Sequence, residues 1–217
     1  MNNKVSMPPI ISSSNNLKFF NNSVSQPEII DALSDLKHRI FPRPFERLSS
    51  ICKGRNLVGA EIGVCGGEHA LSLLQNIDIE KLYLIDPYDM YDNYNEGIKH
   101  YGIDQATLTV SEINARKILH DYSHKITWIR KNSSDAVKDI VHQLDFVYID
   151  GNHQENFVSD DIHNYLPIIK NGGVLGGHDF YNGFQREHDG VVNAVVRFIQ
   201  NNQFQLRIEL PDWWVEV

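Results

Sequence analysis

Val58-Gly59-Ala60-Glu61-Ile62-Gly63-Val64-Cys65-Gly66-Gly67 is an apolar run that breaks into a glycine turn, and Glu68 then opens a stretch carrying Ala70, Leu71, Leu73 and Leu74. The first half, Leu57–Ile62, reads as a strand buried on both faces, because it does not alternate with polar residues. The second half has the spacing of a helix with an apolar stripe. Strand, glycine turn and helix in that order form the first half of a βαβ unit. Lys81-Leu82-Tyr83-Leu84-Ile85-Asp86 follows as the next strand, and Asp86 lies 20 residues beyond Gly66.

The same alternation continues toward the C-terminus. Lys125–Arg130 and Leu144–Asp150 read as strands, and the second again ends in an acid. Ser134–Val141 is a short helix and Glu155–Ile169 a longer one closed by Asn171-Gly172. Gly173–Gly177 is a fifth strand, and Val191–Gln200 is a helix. Phe204–Leu210 and Trp213–Val217 flank Pro211-Asp212 as an antiparallel hairpin, with Trp213 and Trp214 packing in its last strand or at a subunit contact. Strands separated by helices predict an α/β fold. It is a Rossmann-like, doubly wound, mostly parallel sheet with helices on both faces and an antiparallel last strand.

Upstream, Pro27-Glu28 followed by Ile29, Ile30, Leu33, Leu36 and Ile40 has helical spacing, and Pro42 and Pro44 end it. A second short helix is expected over Phe45–Ile51. Residues 1–26 are rich in Asn and Ser and contain no acid, which predicts a flexible tail or arm. Its apolar patch Leu17, Phe19, Phe20 is available to dock on the body or on another copy of the chain. Residues 27–217 form the expected single domain, a normal size for the 217 residues.

Lys and Arg number 20 against 28 Asp and Glu, a net charge of −8, which argues against wrapping a nucleic-acid backbone. Cys52 and Cys65 cannot build a disulfide framework or a structural zinc site. No apolar run reaches the ~20 residues of a membrane helix, and no secretory signal is visible. The expectation is a cytoplasmic protein.

In an open parallel sheet, ligands bind outside the carboxyl ends of the strands. The residues there are Glu61, Gly63, Asp86, Asp150, His178 and Asp179, with His153 close behind Asp150. Several carboxylates in one crevice repel unless a cation or hydrogen-bond donors lie between them. The first turn is not G-x-G-x-x-G, and Glu61 and Glu68 beside it oppose a pyrophosphate. A ligand with an amine cation and a sulfonium suits it better. A carboxylate at Asp86 can accept from both hydroxyls of a ribose. Tyr88, Tyr91 and Tyr94, three residues apart, are either stacking groups over an acceptor or the buried face of a cover helix.

The stretch Val58–Gly67 with Asp86 resembles the S-adenosylmethionine site of class I methyltransferases. Asp145-Phe146-Val147-Tyr148-Ile149-Asp150-Gly151-Asn152-His153 and Gly172-Gly173-Val174-Leu175-Gly176-Gly177-His178-Asp179 narrow this to the group containing macrocin- and cephalosporin-type small-molecule O-methyltransferases. The resemblance covers roughly residues 57–200 and implies a seven-stranded sheet. It implies that Glu61, Gly63, Gly66, Gly67, Asp86, Ser133 and Asp150 hold S-adenosylmethionine. It further implies that Asp150 and Asp179 bind a divalent cation, Mg²⁺ or another, with His178 as third ligand. His178 departs from the carboxylate usual there, and imidazole suits softer ions than Mg²⁺. The expected reaction is methyl transfer to oxygen of a sugar- or polyol-like acceptor, with Asp150, His153 and His178 as catalytic groups. The alternatives are a metal-independent enzyme with a histidine base, a nicotinamide oxidoreductase on the same sheet, and a non-catalytic cofactor-binding protein. A homo-oligomer is compatible with the apolar arm; neither nucleic acid nor membrane is an expected partner.

Overall fold

The computed structural model describes residues 41–91, 104–180 and 189–217, and the backbone of residues 18–20. The proposed helix over Pro27–Ile40, the remainder of the tail, and Tyr94 lie outside the described residues.

One eight-stranded sheet organises the chain. Its strands are β1 (Lys18–Phe20), β2 (Leu57–Ile62), β3 (Ile79–Ile85), β4 (Ile126–Ile129), β5 (Leu144–Ile149), β6 (Ile169–Gly177), β7 (Leu206–Glu209) and β8 (Asp212–Glu216). Across the sheet the order is β1-β7-β8-β6-β5-β2-β3-β4. The five strands β4-β3-β2-β5-β6 are mutually parallel. β8 runs antiparallel to both β6 and β7, so it alone among β2–β8 points the other way. The terminal hairpin is therefore present, with its second strand inserted into the sheet. Strands β2–β8 make up the seven expected. The eighth is an addition, since Lys18–Phe20 of the arm pairs antiparallel with β7.

Successive residues of each central strand point to opposite faces. Ala60, Ile62, Val147, Ile149, Leu175 and Trp213 enter one core, and Leu82, Leu84, Phe146, Tyr148, Val174 and Trp214 enter the other. The first core is covered by α4 (Ser133–Ala136), α5 (Glu155–Tyr165) and α6 (Asp189–Asn201), through Ala136, Val158, Ile162, Val191, Val195 and Ile199. The second is covered by α1 (Pro44–Leu48), α2 (Glu68–Asn76) and α3 (Gln105–Ile118), through Phe45, Leu73, Ala115 and Leu119. A sheet between two helical layers explains why its strands are apolar on both faces. Trp213 and Trp214 are fully buried, one in each core.

Several boundaries differ from the sequence reading: the helix expected over Ser134–Val141 is α-helical only over Ser133–Ala136, and the strand expected from Lys81 starts at Ile79. α5 stops at Tyr165 because Pro167 cannot continue the hydrogen-bond ladder, and a single 3₁₀ turn follows. β6 then starts at Ile169, four residues earlier than expected, because Ile169 pairs with Leu144 before the register shifts toward Phe146–Val174. Gly172, at φ 82°, takes up the irregularity.

Candidate functional site

The carboxyl ends of β2, β3, β4 and β5 open onto a cavity of about 460 Å³. Each strand contributes to its wall: Gly63 after β2, Asp86 after β3, Asn132 and Ser133 after β4, and Asp150 after β5. Gly63 is required where it stands. Its φ is +84°, and a Cβ there would lie 2.0 Å from the Asp150 carbonyl oxygen. The turn and the end of β5 thus touch backbone to backbone. Cys65, at φ 48°, also borders the cavity.

Asp86 is the clamp of this turn. Its Oδ2 accepts from the backbone N–H of Val64 and of Cys65, each at 3.0 Å, and its Oδ1 accepts from Tyr88 N–H at 2.9 Å. Burial raises its pKa against the pull of those three donors. Tyr88 closes the clamp by donating its hydroxyl to the Cys65 carbonyl at 2.9 Å. It is 2 % exposed and serves as a buried prop. Tyr91 faces the cavity, and its hydroxyl accepts from Asn152 at 3.2 Å.

Glu61, Gly66 and Gly67 do not border the cavity. Gly67 adopts φ 87° at the start of α2, where a Cβ would meet Ala115 Cα at 2.9 Å. Glu61 points beneath the turn. Its Oε1 lies 3.0 Å from His69 Nδ1, and Glu46 Oε1 lies 3.2 Å from His69 Nε2. Glu46 also accepts from the Ser72 hydroxyl at 2.7 Å. Burial pushes Glu61 well up and His69 well down, and it moves Glu46 up to about 7. His69 Nδ1 hydrogen-bonds Glu61, while His69 Nε2 and Glu46 Oε1 lie close together without a hydrogen bond between them.

A second group of titrating residues adjoins the cavity at Asp150. His153 Nε2 is 2.8 Å from Asp179 Oδ2, and His178 Nδ1 is 3.1 Å from Asp179 Oδ1 and 3.7 Å from Asp150 Oδ1. Burial works to raise Asp179, but the hydrogen bonds of His153 and His178 outweigh it and hold the carboxylate well below its ordinary range. Burial likewise opposes charge on both imidazoles, and the aspartates outweigh it, so both pKa values are raised. Asp179 adopts φ 57°, an uncommon conformation that Asp tolerates better than most residues. Asp150, His153 and Asp179 each offer one donor atom, all within 4.8 Å of one another. The converging trio contains His153 where the sequence reading has His178 as third ligand.

Three further members have no counterpart in the sequence reading. Arg43 Nη1 donates to Asp150 Oδ2 at 2.7 Å and to the Tyr148 hydroxyl at 2.8 Å. The Tyr148 hydroxyl donates to Asp212 Oδ1 at 2.8 Å, and Asp212 Oδ2 accepts from Phe45 N–H at 2.9 Å. Burial opposes charge on Arg43, but Tyr148 and Asp150 outweigh it and the guanidinium stays ionised. The cluster therefore contains its own fixed cation. On the opposite wall, Phe157 and Asp161 of α5 face the cavity, and Asp161 is 3 % exposed.

Residues 60–180, just over half of the chain, match the family described as Methyltransferase domain. No curated protein sequence gives a significant match. Among solved structures, SMU.1697c of Streptococcus mutans, in complex with SAH, is 17 % identical over 81 % of this chain and 97 % of its own, with a TM-score of 0.53. The O-methyltransferase NovP is 16 % identical over 74 % of this chain and 71 % of its own, with a TM-score of 0.52. MycE of the mycinamycin biosynthetic pathway, in complex with Mg, SAH and mycinamycin VI, is 15 % identical over 82 % of this chain and 50 % of its own, with a TM-score of 0.51. These likenesses establish the fold. Among the described residues no helix is long and apolar enough to cross a membrane.

Proposed function

The chain belongs to the methyltransferase-domain family, and from that premise we propose that it transfers methyl from S-adenosylmethionine to an oxygen of a small sugar- or polyol-like acceptor, assisted by a divalent cation. One observation carries the reading. Asp150 is shared between the cavity at the glycine turn and the His153–His178–Asp179 cluster, so the place where a nucleoside-type ligand fits adjoins the place where protons and cations are handled. The SAH in SMU.1697c and the Mg and SAH in MycE support this reading.

S-adenosylmethionine supplies an electrophilic methyl on a sulfonium. What remains for the chain is to hold the two reactants in line and remove a proton. Gly63 and Asp150 would hold the amino-acid end, with Glu61, Gly66 and Gly67 shaping the turn from below. Asp86 takes the ribose: a carboxylate has about four lone-pair sites, and three backbone donors leave room for a hydroxyl. Ser133 would hold the base. Asp150, His153 and Asp179 would hold the cation. Two carboxylates and an imidazole suit a first-row transition ion or Zn²⁺ better than Mg²⁺. When bound, such an ion would supply Lewis acidity toward an acceptor hydroxyl. His178, its Nδ1 held by Asp179, presents Nε2 as the basic nitrogen that receives the proton.

A second reading, proton removal by His178 or His153 without a metal, is favoured by Arg43, which already neutralises Asp150. Titration calorimetry separates the two. S-adenosylhomocysteine is titrated into chelator-stripped protein, followed by Mn²⁺, Zn²⁺ and Mg²⁺. Micromolar binding of the nucleoside and an ion isotherm abolished by Asp179→Ala are the expected results. An absent ion isotherm leaves the histidine-base reading. Absence of S-adenosylhomocysteine binding overturns the cofactor assignment.

A further inference from the structure

We infer that Asp161 is the residue that recognises the cofactor's base, accepting a hydrogen bond from the exocyclic amino group of adenine. The inference rests on the cofactor reading above and assigns a specificity role to a helix residue outside the strand-end motifs.

The order of the strands carries the argument. From β5 through β2 and β3 to β4, the residues at the cavity wall are Asp150, Gly63, Asp86 and Ser133. A nucleoside whose ribose hydroxyls meet Asp86 and whose amino-acid arm runs toward Gly63 and Asp150 has its base on the remaining side, by β4. That side is closed by α5. Phe157 and Asp161 lie four residues apart, so they share one face of the helix, and both line the cavity. An aromatic ring and a carboxyl side by side match a base that has an apolar π-face and an amino-bearing edge.

The carboxyl is fixed where it stands. Asp161 is almost fully buried and hydrogen-bonds to the Ser133 side chain. One turn further along, the Tyr165 hydroxyl donates to the Ser133 carbonyl at 2.8 Å, binding the helix to the loop after β4. Burial pushes Asp161 up to about 7. Burying this carboxyl carries a desolvation cost that the Ser133 hydrogen bond offsets only in part, and a ligand N–H would offset more of it. Protonated or ionised, it presents an oxygen acceptor to an amino group.

The test measures binding of S-adenosylhomocysteine and of its 6-deamino purine analogue to the full chain by calorimetry. The wild type is expected to favour the amino form by about 10-fold or more, as buried polar sites do when the partner group is missing. Asp161→Ala is expected to weaken S-adenosylhomocysteine about 10-fold and bring the ratio of the two affinities near one, while the analogue changes little. Asp161→Leu, which keeps side-chain volume without an acceptor, repeats the experiment if truncation unfolds the helix. Asp161→Asn retains a carbonyl and should restore most of the preference. A wild type that binds both ligands equally, or Asp161 variants that keep the full preference, overturns the inference while leaving the cofactor reading intact. A wild type that binds neither ligand overturns the cofactor reading itself.

Discussion

At the scale of single residues, the site depends on positions that admit no substitute. Gly63→Ala places a methyl group against the Asp150 carbonyl in a left-handed conformation. It should cost on the order of 3 kcal/mol or more, by backbone strain and steric displacement together. Urea unfolding measures it; a cost below about 1 kcal/mol would mean that the turn and β5 separate easily. Asp86, Asp150 and Asp179 were legible in sequence because each follows an apolar strand, and the fold brings those strand ends together. Arg43 was not: it lies 107 positions from Asp150, between two prolines, in a stretch without periodicity. Asp161 was hidden differently. Next to Asp160 it resembles the solvated side of a helix, and only its spacing of four from Phe157 hints that it faces inward.

Between elements, β2 fits closely on β5. A Cβ on Gly59 would lie 2.1 Å from the ring of Phe146, the residue paired with it across the sheet. Gly59→Ala overpacks that site and should cost about 1–3 kcal/mol. Phe146→Leu leaves a void and should cost a similar amount. The double variant should be more stable than the sum of the two, by at least about 1 kcal/mol of coupling in a double-mutant cycle. Simple additivity would mean that the strands spread apart instead. The core strands of the sheet were readable from their continuous apolar runs. β1 was not, since three residues carry no period and their pairing is decided by the exposed edge of β7. The start of β6 was masked by Asn171-Gly172-Gly173, which reads as a turn and is in fact an irregular stretch of strand.

Taken whole, the molecule buries several carboxyls whose pKa values desolvation raises, Glu46, Glu61, Asp161 and Asp212 among them. Glu46, surrounded by His69, Ser72, Asp212 and Arg43, is moved by burial from 4.5 to about 7. Folding then favours its protonated form, so its contribution is complete below about pH 4.5 and disappears as pH rises through about 7. Relative to Glu46→Gln, the wild type should lose stability between pH 5 and 7, by about 2 kcal/mol, and change little above that. Unfolding curves of both proteins at pH 5, 6, 7 and 8 measure the difference. A gap that does not vary with pH would place the proton elsewhere in the Glu46–His69–Glu61 set. The position of β8 also bears on how the chain is made. It follows every other strand in sequence, yet it lies between β6 and β7 and provides Asp212 to the Tyr148–Arg43 network. While a ribosome is still extending the chain, β6 has a bare apolar edge, β7 has no native neighbour on that side, and Tyr148 lacks its acceptor. Insertion of β8 therefore completes the sheet and the charged network in a single event.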